Sequence, residues 1–143
     1  MRRAGIAALV VAGALVAPAG AAADWTPGEY RGSTSQGREA RMGFSERDVF
    51  RHGFEVNVTC TKKRRGRRPA RRREGGRYTS GRPIGLGSDG RFSAKRKSGR
   101  FKTSFSGQVE GQEATGKFGL TFKEAGGWTC RSPTIRWSVS RIN

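Results

Sequence analysis

Few residues in this chain have types and spacing that could do chemistry. The densest group is Lys62-Lys63-Arg64-Arg65-Gly66-Arg67-Arg68-Pro69-Ala70-Arg71-Arg72-Arg73, nine cations in twelve residues. Guanidinium forks match the paired oxygens of phosphates and carboxylates. Lys62, Lys63, Arg64, Arg65, Arg67, Arg68, Arg71, Arg72 and Arg73 are therefore a candidate polyanion site. The expected partners are anionic cell-wall polymers, acidic glycans, anionic lipid head groups or free DNA. The same run also reads as a solvated, self-repelling segment that keeps the protein soluble. Sequence-specific reading of nucleic acid is not expected, because no recognition helix is visible.

Other chemistries find less support. His52 is the one histidine, so any Ser-His-Asp or Cys-His site would have to use it. A lone histidine in a strand is ordinarily structural, and the chain is read as non-catalytic. One histidine, two cysteines seventy positions apart and scattered carboxylates do not give the ligand spacing of a tetrahedral metal site. No Asp-rich loop suggests calcium, and no glycine loop opens a helix to cradle phosphate. No metal or cofactor is expected. Trp25, Tyr30 and Trp128 fall in expected loops or edges, where aromatic faces can stack on sugar rings. A carbohydrate-binding module is thus an alternative, and core packing of the same rings competes with it. A structural protein without a ligand is the third reading.

The elements that must position these residues show the alternation of strands. Phe54, Val56, Val58 and Cys60 alternate with Glu55, Asn57 and Thr59, the period of a strand buried on one side. Before it, 29–34 and 38–44 read as strands, and a break in parity after Val49-Phe50 suggests a bulge at Gly53. Residues 62–83 hold no apolar run and many charges, and are read as a long flexible basic loop, anchored at its far end by Tyr78. Ser88-Asp89-Gly90 is a turn before a short strand with Phe92 and Ala94 inward. Segments 99–109 and 113–122 alternate well and join through Glu110-Gly111-Gln112. Ile135, Trp137 and Val139 line the last strand. No segment after residue 23 has helical periodicity. The fold expected is all-β, an antiparallel β-sandwich or jelly-roll-like barrel.

The start of the chain sets the compartment. Met1-Arg2-Arg3, the apolar stretch 4–16 and the small residues 18–23 have the layout of a secretory signal peptide cleaved before Asp24, and an uncleaved membrane anchor is the competing reading of the uncharged stretch 4–23. The expected organisation is a signal peptide, 1–23, and one secreted β domain, 24–143, monomeric and without a transmembrane segment after cleavage. Two cysteines in an exported chain suggest one disulfide, Cys60–Cys130. The formal charge of +18 falls to +16 without Arg2 and Arg3, which bears on partners rather than fold.

Several short pieces carry a likeness. Gly28-Glu29-Tyr30-Arg31-Gly32-Ser33-Thr34-Ser35-Gln36-Gly37 is the longest. Gly90-Arg91-Phe92-Ser93, Phe105-Ser106-Gly107, Ala114-Thr115-Gly116, Cys130 and Trp137-Ser138 are the others. Together they resemble a group of small secreted β-sandwich-like proteins of high-GC Gram-positive bacteria. The resemblance implies export, a frame of short strands and two cysteines. It carries over no catalytic residue. The basic run looks like an elaboration on that frame.

Overall fold

The computed structural model describes residues 24–143, so the expected signal peptide lies outside the described residues. Ten strands form: β1 (Gly28–Thr34), β2 (Glu39–Phe44), β3 (Asp48–Lys62), β4 (Ala70–Ser80), β5 (Ile84–Gly85), β6 (Arg91–Ser98), β7 (Phe101–Glu110), β8 (Glu113–Glu124), β9 (Trp128–Arg131) and β10 (Ile135–Arg141). All ladders between them are antiparallel, and no described residue is helical. The all-β, antiparallel expectation holds.

The sheet closes on itself through β3, β2, β1, β10, β8 and β9. The long strands β3 and β8 are its two pillars. Near Phe54 and Phe118 they are separated by three strands, β2, β1 and β10. Near Cys60 and Phe122 only β9 lies between them. The result is a tapered six-strand barrel, with β4 and β5 added on the outer edge of β3 and β7 and β6 on that of β8.

Between the end of β2 and the start of β9, the backbone of Asn57 has neither strand as partner. The side chain of Gln36, in the β1–β2 turn, fills the place. Its Nε2 donates to the Asn57 carbonyl at 3.0 Å, and its Oε1 accepts from the Asn57 amide at 2.9 Å. Ser132 does the same for Leu120 on β8, accepting from its amide through Oγ and donating its own amide to the carbonyl.

Inward positions follow the alternation read from the sequence. Phe54 stacks on Phe118 at 4.3 Å and meets Phe105 edge-on at 5.5 Å. Trp137 lies against Gly107 and Gly116, which face each other across β7 and β8. A Cβ at Gly116 would sit 2.0 Å from the Ser106 carbonyl and 2.4 Å from the indole. Aromatic burial on this scale dominates a small core. The two sulfurs are bonded between directly paired residues of β3 and β9, and both cysteines are fully buried.

Two expectations need correction. The bulge lies at Phe50, opposite Gly43 and Phe44, whereas Gly53 is in regular register with Arg41 and Thr79. The Phe50 ring covers Gly43, where any Cβ would clash. The second correction concerns 62–83, expected as one flexible loop. Residues 70–80 are strand β4, paired with β3 along eleven residues from Lys62–Ala70 to His52–Ser80. Only 63–69, a turn with Gly66 at φ +67°, and the short link 81–83 lie outside strands. The physical reason is that β4 is an edge strand: its backbone bonds are supplied by β3, so it needs little apolar area. Two of its cations are offset locally, Arg72 by Glu74 and Glu124, and Arg77 by Glu55. Tyr78 does anchor it, 5.6 Å from the Phe118 ring.

Candidate polyanion-binding face

In a sheet, directly paired residues share a face and alternate residues change face. That rule separates the nine cations of the run. Lys63, Arg64, Arg65, Arg67 and Arg68 are exposed on the β3–β4 turn. Arg71 and Arg73 point to the outer face of the sheet. Arg72 points inward beside Cys60, bonded to Glu74 and Glu124 and stacked 4.2 Å from the Trp128 ring. Lys62 is half-buried and paired with Trp128, on that same inner side. The nine residues therefore do not form one patch. Arg72 and Lys62 serve the inner face.

What the register does assemble is a row across the outer face. Arg73 pairs with Thr59, Thr59 with Arg131, Arg131 with Thr121, Thr121 with Lys102 and Lys102 with Lys97. At about 4.8 Å per strand, the row of six residues spans roughly 24 Å. A second row runs Arg71, Thr61, Thr129, Lys123. Cations and threonine hydroxyls thus make up both rows, and no acidic residue stands in either.

The row crosses a shallow depression of about 480 Å³ between β6, β7, β8 and the Ser132–Thr134 turn. Lys95, Lys97, Lys102 and Arg131 surround it. Its floor includes Ser104, Gly119 and Thr121, and the space above Gly119 is open. None of the four cations is in an ion pair among the described residues, and no carboxylate lines the depression. Glu74 and Glu124, the acids nearest in sequence to Arg73 and Lys123, project to the other face. Sequence reasoning missed Lys95, Lys97, Lys102 and Arg131. Their outward parity is visible in the alternation, but the register that brings them together is not.

The remaining candidates take ordinary places. His52 is buried, its ring 4.4 Å from that of Phe105 and near those of Phe54 and Tyr78. Burial, with the Arg96 charge adding to it, lowers its pKa to about 4, and Nδ1 has no hydrogen-bond partner. It is neutral near pH 7. Trp25 and Tyr30 are buried: Trp25 Nε1 donates to the Ser45 carbonyl, and the Tyr30 hydroxyl donates to that of Thr26 at 2.6 Å. Burial raises the Tyr30 pKa. Trp128 lies beneath Arg72. These three rings form no exposed platform. Cys60, Cys130, Glu74 and Glu124 lie close enough to hold a metal, but the sulfurs are bonded to each other and Arg72 holds both carboxylates. No helix among the described residues is long and apolar enough to cross a membrane. No protein-family model, curated protein or solved structure matches the chain.

Proposed function

We propose that the protein is an exported, non-catalytic, monomeric domain that associates with polyanionic polymers of the cell envelope through the outer face of its sheet. The observation that carries this reading is the depression ringed by Lys95, Lys97, Lys102 and Arg131, which has hydroxyls on its floor and no carboxylate in its wall. Phosphate or carboxylate groups of a polymer meet cations there that have no acidic partner among the described residues. The row through Arg131 and Arg73 extends the contact toward the basic turn, so several charges of one chain bind together. Each contact is weak alone and the sum depends on salt. Export is supported by the buried disulfide, which persists in oxidising compartments. The resemblance to small secreted proteins points the same way.

Two variants of the mature domain divide the candidate cations. In one, Lys97, Lys102 and Arg131 become glutamine. In the other, Arg64, Arg65, Arg67 and Arg68 become serine. Retention on immobilised teichoic acid and heparin is measured along a salt gradient. The first variant is expected to elute well before the second. Equal elution of the first variant and the unaltered protein overturns the reading.

A further inference from the structure

The inner face carries a second concavity, chemically unlike the outer one. Besides the two-residue β5, two long strands, β4 and β6, have outer edges with no strand partner among the described residues. Residues of both wings, with the inner positions of β3 and β8 between them, line a cleft of about 550 Å³. That is within the range of small-molecule pockets. Its floor is apolar and includes Val56, Val58, Leu120 and the half-buried rings of Tyr78, Phe101 and Phe122.

Its rim is cationic. Arg82, Arg96 and Arg100 line it, and none has a carboxylate partner among the described residues. Arg96 is fixed by donating to the carbonyls of Arg82 and Pro83. Arg100 lies over the paired rings of Phe101 and Phe122, 5.0 and 5.8 Å from their centres. Glu74 and Glu124 also line the cleft, but Arg72 bridges both, which leaves one net negative charge against the three rim arginines. An apolar trough under an excess of arginine charge complements one kind of ligand, a hydrocarbon chain ending in an anion. Gly76 adds a second sign. It stands on the inner face opposite Val56, and a Cβ there would meet nothing within 4 Å. A full side chain at that position would have filled the trough.

We propose that this cleft binds a single-chain anionic amphiphile, the acyl chain on the apolar floor and the carboxylate or phosphate at the arginine rim. The cleft opens on the other face of the sheet from the outer basic depression, although Arg96 and Leu120 border both, and the proposal does not depend on binding at that depression. Gly76→Phe fills the cleft from within regular strand backbone. Arg82→Gln with Arg100→Gln removes rim charge from exposed positions and leaves the Arg96 clamp in place. Calorimetric titration of the mature domain with laurate, dodecyl phosphate, acetate and dodecyltrimethylammonium tests the idea. The expected result is binding of the two long anions, none of acetate, and none of the cationic surfactant. Affinity for laurate should fall at least about tenfold in each variant, the loss of one charge-assisted contact or of the chain site. If Gly76→Phe does not fold, the arginine pair decides. No binding of laurate, equal binding by the variants, or equal binding of the cationic surfactant overturns the proposal.

Discussion

At the scale of single residues, the molecule holds two features that packing alone sets. His52 has a pKa of about 4 in the folded protein against an ordinary 6.5, because burial among aromatic rings disfavours its charge. The unfolded chain then binds more protons than the folded one between those values. Stability that is present above pH 6.5 is lost as pH falls toward 4. The full effect is on the order of 3 kcal/mol, from the size of that shift. Urea unfolding at pH 7 and pH 4.5 should show a smaller loss in His52→Phe than in the unaltered protein. An identical loss would place the titration elsewhere. Gly116 is the other feature. With Trp137 on one side and the Ser106 carbonyl on the other, it has no room for a methyl group. Gly116→Ala should lower stability by about 1–3 kcal/mol, the usual cost of overpacking, read by thermal melting. Little or no change would mean that the slot for the indole yields.

At the scale of elements, β9 is the smallest strand that matters. Its four residues pair with β3 on one side and β8 on the other, and the disulfide fastens it to β3. Cys60→Ala with Cys130→Ala releases a bridge across 70 residues of sequence, worth about 4 kcal/mol by chain entropy. Amide exchange should quicken first at Thr129 to Arg131 and at 59–62 of β3. Uniform exchange across the barrel would show that β9 does not close it. β7, β8, β10 and the 54–60 part of β3 were legible because their inner residues are mostly apolar and alternate strictly. β4 was not, because its inner positions are Arg72, Glu74 and Gly76. Charge pairs and a cleft stand there in place of hydrocarbon, and a search for apolar alternation passes over them. The bulge was legible as a break in parity, but its place at Phe50 depends on Gly43 in the neighbouring strand. The candidate site fared likewise. A run of cations is visible in one dimension, but whether its members share a face is settled by parity, which removes Arg72. Which distant residues join them is settled by register, which adds Arg131, Lys102 and Lys97.

At the scale of the whole molecule, the formal charge of +18 is distributed unevenly. The ion pairs Arg51–Glu29, Arg77–Glu55 and Arg41–Glu39 gather on β1, β2, β3 and β4, where opposite charges interleave. The part of the outer face around Lys95, Lys97, Lys102, Thr121 and Arg131 has no carboxylate, and the acids of that face on β7 and β8, Glu110 and Glu113, stand at the far end of the two strands. Edge strands rich in charge, β4 and β6, also resist pairing with other chains, so a high concentration of the domain should remain monomeric by sedimentation. The division of charge is what singles out the polyanion face, and its salt dependence tests it most directly. The association constant of the mature domain for heparin is measured from low to moderate salt, beside that of the variant with Lys97, Lys102 and Arg131 replaced by glutamine. Each lost contact should reduce the slope of log K against log salt by about 0.7–0.9. A slope shallower by about 2–3 in the variant is the expected result, and parallel lines for the two proteins would contradict binding at this face.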